Sequence, residues 1–484
     1  MRKKDIFTIA QYLDSYHLHM FIRLNHTFRI MALSIKPELS KNIRFAKIFQ
    51  RGFNYLQIFT FRLKFSLEDY KNKNIPWTLE TFRWTFIFTP MTLAAIFCSG
   101  LLALKPKTHP FMKYHHIETI LETNRMDLFV LDLFILSIIL EAMFIQLSSE
   151  VLNYRSSFVK FIINNQNFNE ARLPYQSLQF LRKFYSILYL TGTIGYGLYI
   201  INAIGTLGFG YYWAFIFLER NLTTIDEMIL SVPAFAVMCT DLSYLVGQLF
   251  TTVLFFIVFV IELFQVKLKW LYKLSHKNFN NQCKKNRSKT IFWKNFQDKY
   301  VKLYAETADF NISFGKMLLY IEMVSKSSII VSCMFYSNQK KISQYTITAI
   351  LSLMSTFVCI TSLYSRVARL PSYNGRCCKN IIKWLARTQW SPSKAKVNHP
   401  INERRIRNIN RTTIKSNLFV QVMSQNQLGF TCGHLFFITK FKYNELVLMN
   451  IPLILMLILM LLSPYFSHLF NTSLIYWSLK CNKK

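Results

Sequence analysis

Glycine and proline are scarce, 13 and 12 among 484 residues. That excludes a Pro/Gly-rich disordered chain or a fibrous repeat. Acidic residues are few as well: 24 Asp and Glu stand against 58 Lys and Arg, a formal charge of +34. The nine cysteines, at 98, 239, 283, 333, 359, 377, 378, 432 and 481, show no paired spacing of a disulfide framework. Most fall in apolar runs or in basic segments expected on the reducing side of a membrane. No HExxH, CxxC, phosphate-loop or GxSxG pattern is present, so neither an enzyme nor a metal or other cofactor is expected. The opening MRKKDIFTIAQYLDSYH lacks the apolar core and small-residue cleavage site of a secretory leader. The first long apolar run is expected to do the targeting.

What the chain has in abundance is apolar and aromatic residues, 52% and 16% of the total. This is more than an ordinary soluble domain carries. A charge of +34 in a soluble protein would point to nucleic acid, because basic patches release counterions from phosphate. Here the charge is distributed otherwise. Apolar runs long enough to cross about 30 Å of hydrocarbon occur at 84–104, 128–147, 184–204, 228–265, 314–336, 345–365 and from 446 to 462 or a little beyond. The fourth run has 38 residues, roughly 57 Å of helix. Taken as one helix, it puts 46 Lys and Arg in alternate loops on one side and 10 on the other, with Lys316 and Lys326 inside a run. The side rich in positive charge is cytoplasmic.

The expectation is therefore an all-α integral membrane protein with seven transmembrane helices, the N-terminus cytoplasmic and the C-terminus extracellular. Its parts are a cytoplasmic region 1–83, a six-helix membrane bundle 84–365, a cytoplasmic loop and lead-in 366–445, a seventh helix 446–470 and an extracellular tail 471–484. The long fourth helix should project into the cytoplasm. The amphipathic stretch 293–314 offers it a partner, or else lies on anionic headgroups. Cys377 and Cys378, next to a span and beside Arg376 and Lys379, are either plain thiols or palmitoylation sites.

Ionisable residues within the runs cost about 2.5–3.5 kcal/mol each at a helix centre. Asp132, Glu141, Asp241, Glu322 and Lys326 are the cases. Glu322 and Lys326 stand four apart in the favourable order for an intrahelical pair. Asp132 and Glu141 stand nine apart, on opposite sides of a helix, and cannot share a site. Tyr185, Tyr189, Tyr196 and Tyr199, with Asp241, are candidates to line a mostly apolar pocket for an organic ligand. The tyrosine spacing also suits plain packing. In the last run Leu453, Leu457 and Met460 form one apolar stripe and are candidate gate residues of a pore that closes by dewetting. A lipid-facing anchor is the alternative. Of the Asn-x-Ser/Thr sites at Asn25, Asn221, Asn286, Asn311, Asn410 and Asn471, only Asn221 and Asn471 are expected on the outer side and are the glycosylation candidates.

Before the last run the sequence reads Phe419-Val420-Gln421, then Phe430-Thr431-Cys432-Gly433, then Phe437-Ile438-Thr439-Lys440. With the inverted seven-span topology, these words resemble the gustatory receptors of the insect chemoreceptor superfamily. That family shows a Phe and nearby Gln leading to Phe-Thr-Ala-Cys-Gly and then a final helix. Residues 433–439, GHLFFIT, also echo the related odorant receptors. The chain departs from the family where Thr439 replaces an acidic residue and where the last run has no Thr-Tyr or Gln-Phe pair. The resemblance implies a receptor subunit in the plasma membrane that detects a small-molecule tastant as a ligand-gated, non-selective cation channel. It further implies a homo- or hetero-tetramer with other chemoreceptor subunits, embedded in lipid, with no nucleic-acid partner. The rival classes are a seven-span metabotropic receptor and a transporter, although no internal repeat supports the latter.

Overall fold

The computed structural model describes residues 44–104, 126–168, 170, 173–194, 197, 247, 253–280, 286–337, 360–390, 403–425 and 428–448. These residues form an all-α fold, apart from one two-stranded hairpin. In chain order the helices are α1 (Phe45–Leu56), α2 (Leu67–Lys71), α3 (Arg83–Leu104), α4 (Met126–Leu152), α5 (Ser157–Asn165) and α6 (175–194). There follow α7 (Val258–Asn280), α8 (Asn286–Ser337), α9 (360–367), α10 (Arg369–Trp390) and α11 (Glu403–Gln425). The hairpin β1 (Thr431–Cys432) and β2 (Phe436–Phe437) leads into α12 (440–448). Helices α3, α4, α6, α7, α8 and α9 each overlap an apolar run read from the sequence, and α5 lies between two runs. Among the described residues one segment, Val130–Leu152, is by itself long and apolar enough to cross a membrane.

Helix α8 is the spine of the fold. Its 52 residues, about 78 Å at 1.5 Å per residue, hold no proline and a single glycine, Gly315. The amphipathic stretch 293–314 lies in its first half. That stretch buries Trp293, Phe296, Tyr300, Leu303 and Phe310 within the protein. Lys267 of α7 pairs with Glu306 of α8 at 2.6 Å, so the chain just past the fourth run packs against that stretch. Phe310 sits at the centre of an aromatic cluster, 5.2 Å from both Phe158 and Phe161, 5.7 Å from Phe264 and 5.6 Å from Phe314. Edge-on geometry puts each ring's positive rim on a neighbour's negative face.

The segment before residue 83 is built into the same core. Phe45, Ile48, Phe49, Phe53 and Leu56 repeat every three or four residues along α1, the mark of one apolar face, and all five are buried. A π turn, Gln57–Phe61, ends at Arg62, whose φ of 54° reverses the chain. The Arg62 guanidinium then reaches Glu141 of α4 at 2.8 Å, and both side chains are almost fully buried. Glu141 is thus neutralised by a residue 79 positions away. Asp132 is fully buried, and neither of its oxygens has a hydrogen-bond partner among the described residues. The two acids do occupy different environments.

Two further polar ties join the helices. At the α4–α5 corner the Ser157 N–H donates to the Ser313 hydroxyl, and the Ser313 N–H donates to the Ser157 hydroxyl, each at 3.1 Å. Ser313 then donates to Glu150, which also receives Lys316 at 2.6 Å. Between α7 and the end of α9, buried Glu262 takes Arg366 at 3.1 Å while Gln265 donates to the Arg366 carbonyl at 2.7 Å.

The exterior is not uniform. Exposed large apolar side chains gather on α3 (Phe86, Ile87, Leu93, Phe97), on α4 (Ile138, Ile145), on α6 (Ile187, Ile194) and on the distal half of α8 (Met323, Ile330, Met334). On these helices several hydroxyls turn inward to their own backbone, as Thr92 does to the Phe88 carbonyl and Thr193 to the Tyr189 carbonyl. That pattern satisfies polar groups where no water is at hand.

Candidate functional site

Of the residues that carried the resemblance, Phe430 to Gly433 and Phe437 to Lys440 come together in one place. After α11 the chain enters a tight antiparallel hairpin, with Thr431 opposite Phe437 and Cys432 opposite Phe436. Its turn begins at Gly433, whose φ is 55°, a conformation that glycine adopts without Cβ strain. The Gly433 N–H donates to the Gly315 carbonyl of α8 at 2.7 Å. A Cβ on Gly315 would lie 3.0 Å from the Thr431 hydroxyl and 3.2 Å from its carbonyl. Gly315 costs α8 about 1 kcal/mol in propensity, and in exchange the hairpin approaches the helix backbone directly.

Each strand residue has a fixed partner. The Thr431 N–H donates to Asn311 Oδ1 at 2.9 Å, and Asn311 Nδ2 donates back to the Thr431 hydroxyl at 3.1 Å. The Asn311 amide of that sequon is therefore held inside the protein. Phe430 is fully buried and meets Phe314 edge-on at 4.9 Å, with Phe264 and Phe310 each at 6.1 Å. Cys432 is fully buried, its sulfur 3.5 Å from the Tyr364 hydroxyl of α9. Burial pushes the Cys432 thiol up to about 11, against the smaller opposing effect of the Tyr364 hydrogen bond. It is a neutral packing group rather than a thiolate. Phe419 packs half-buried on Trp293 at 5.5 Å and Tyr300 at 5.8 Å. Gln421 is exposed on α11 and takes no part in the hairpin.

From the hairpin the chain passes straight into the last apolar run. The Ile438 N–H closes on the Phe430 carbonyl at 2.9 Å. Thr439 then caps α12, its hydroxyl accepting from the Lys442 N–H at 3.1 Å, which satisfies one free N–H of the first turn. The residue that departs from the family pattern is thus a sound N-cap in its own right. Between α8, α9 and α12 lies an open cleft of about 280 Å³, lined by Glu322, Ser325, Ile360, Tyr364, Tyr443 and Leu446 among others. Glu322 is paired with Lys326 at 3.6 Å, the intrahelical pair read from the sequence.

The sequence matches no protein-family model and no curated protein. The site therefore stands on its geometry. What it can do is mechanical: one hairpin ties α7, α8 and α9 to the first turn of the final run through short hydrogen bonds and fully buried rings.

The other candidates fall elsewhere. Tyr185 is buried against Phe259 of α7 at 5.7 Å, and Tyr189 lies under the Arg51 guanidinium at 5.5 Å. Both belong to the aromatic packing between α1, α6 and α7. Tyr196, Tyr199, Asp241, Leu453, Leu457, Met460, Asn221 and Asn471 lie outside the described residues. Cys377 and Cys378 are buried, with burial pushing the Cys377 thiol up to about 12, so both sulfurs are packed away from any acylating enzyme. Sequence reading missed Gly315 and Tyr364 and noted Asn311 only as a sequon. A lone glycine in a 52-residue helix was the one available signal.

Proposed function

We propose that this chain is a subunit of a multi-pass chemosensory receptor of the plasma membrane, gustatory in type, that opens a non-selective cation pore when a small organic molecule binds. The observation that supports it best is the hairpin. Residues 430–433, which carry the resemblance, are the residues that clamp the lead-in of the final run onto α8 and α9. A displacement of α8 or α9 by a ligand among the first six runs is passed through Gly315, Asn311 and Tyr364 to the hairpin, and from there to α12. Leu453, Leu457 and Met460 in the final run then serve as the apolar gate. The apolar exterior of α3, α4, α6 and distal α8 supports a membrane setting for those helices, and the uneven distribution of Lys and Arg supports a cytoplasmic N-terminus.

Two measurements test this. Epitope tags on each end, stained in intact cells, should reveal the C-terminus and hide the N-terminus. Ligand-evoked current in excised patches should persist without nucleotides. An exposed N-terminus with a hidden C-terminus would sink the topology, and a strict need for GTP would favour a metabotropic receptor.

A further inference from the structure

Helix α10 carries Arg369, Arg376, Lys379, Lys383 and Arg387 and not one acidic residue. At 100° per residue these five fall within an arc of about 80°. All five are exposed, while Leu370, Cys377, Ile381 and Leu385 on the other side are buried. Among the described residues none of the five has a carboxylate partner; Arg376 lies over the Tyr373 ring at 5.8 Å. Between Arg366 and Asn444 the chain offers a single acid, Glu403. A solvated face of such length is ordinarily laced with both signs, and this one is not.

The direction of α10 narrows the choice of partner. Tyr364 meets the Leu318 carbonyl, Tyr300 meets Asn374 at 3.0 Å and Trp293 meets Trp384 at 5.3 Å. The contacts step down α8 as they step up α10, so the helix runs antiparallel to α8, away from its apolar end. Arg387 stands about 27 Å along the axis from Arg369. On the reading that 314–336 and 345–365 cross the bilayer, a membrane surface that touches Arg369 cannot reach Arg387. A second copy of the chain, with 24 acids against 58 Lys and Arg, matches this row less well than an acidic segment does. Ile382, 47% exposed, borders the cation row near its middle and gives an apolar foothold that inorganic polyphosphate would leave unused.

We propose that this face docks an acidic, amphipathic polypeptide segment of a cytosolic partner, lying lengthwise along α10 with carboxylates on the cation row and an apolar side chain on Ile382. The proposal rests on the membrane reading for the word cytosolic and for excluding a lipid surface.

The test uses the full chain in phosphatidylcholine nanodiscs and a fluorescent 20-residue peptide of Glu and Leu with helical spacing. Its controls are a peptide with Lys replacing Glu, long-chain polyphosphate, and vesicles containing anionic phosphatidylserine. The Glu/Leu peptide should bind, the Lys peptide should not, and the combined reversal Arg376→Glu, Lys379→Glu, Lys383→Glu should weaken binding roughly tenfold or more. Ile382→Ser should weaken it about threefold while leaving the salt dependence unchanged. If the triple variant fails to fold, Lys383→Glu alone with the salt series carries the comparison. Binding that survives charge reversal overturns the proposal. So does equal or stronger competition by polyphosphate or vesicles together with indifference to Ile382→Ser. Labelling of a Lys379→Cys variant in sealed cells decides sidedness. Modification from outside would remove the membrane reading and the cytosolic partner together, whereas cytosolic labelling with no peptide selectivity would remove the docking surface alone.

Discussion

The two halves of α8 lie on one unbroken helix and yet meet opposite surroundings. From 294 to 309 the exposed positions are mostly polar or small, with Lys294, Asn295, Asp298, Lys302 and Asp309 outward and Phe296, Tyr300 and Leu303 inward. From 314 to 335 the described exposed positions are Met323, Ile330 and Met334, whereas Ser325 and Ser328 point inward. The first half follows the water rule for an amphipathic helix. The second inverts it, as a helix does when its outer solvent is hydrocarbon and its polar groups must be satisfied within the bundle. The change falls near Ser313, Gly315 and Lys316, where the α4–α5 corner and the hairpin both grip the helix. The change in exterior and the grip of the hairpin therefore fall on the same short stretch.

The largest expected effect lies outside α8, at the buried pair of Arg62 and Glu141. Arg62→Ala leaves Glu141 buried beside an apolar gap and should cost about 3–5 kcal/mol, read as loss of folded, monodisperse protein in detergent. Next, a lysine placed on each half should separate the two solvents. Ile330→Lys should cost about 2.5–3.5 kcal/mol in a membrane-insertion assay, while Val301→Lys, equally exposed, should stay within about 0.5 kcal/mol. Equal effects would erase the contrast. At the boundary, Gly433→Ala forces a β-carbon into the left-handed conformation and against Leu319, a cost of about 1 kcal/mol or more. Its expected signature is altered ligand-evoked current with surface protein preserved. The smallest effect belongs to Cys432. Its thiol ionises near 9.0 when unfolded and near 11 when folded, so the fold favours the neutral form. Stability is complete below pH 9 and declines as pH rises toward 11, by at most about 1.4 kcal/mol per pH unit. Cys432→Ala should remove that slope from thermal midpoints measured across the alkaline range.

Local spacing carried much of this. The described parts of the apolar runs are helical, 293–314 packs as an amphipathic helix, and Glu322 does pair with Lys326 because four residues make one turn and a little more. The cluster Phe430 to Gly433 was visible as a word, though not as a clamp. Arg62 with Glu141, Lys316 with Glu150 and Arg366 with Glu262 are 79, 166 and 104 residues apart. No periodicity encodes such pairs. Glu150 and Glu262 drew no notice, and Glu141 seemed an isolated charge, because the cation that answers each sits on another helix. Tyr185 has the spacing of a pocket-lining residue but spends its ring on Phe259, a contact set by how α6 and α7 meet.

Hydropathy and charge along the chain determined by themselves that this is a helical protein with long apolar runs set among strongly basic segments. Both properties follow from short-range patterning that any segment expresses independently of its neighbours. Only the tertiary structure decided which acids are neutralised and by what, and that the hairpin at 430–438 is bolted to α8 through Gly315. Those outcomes depend on backbones approaching within hydrogen-bond reach, which is a property of helices once packed rather than of the residues in line.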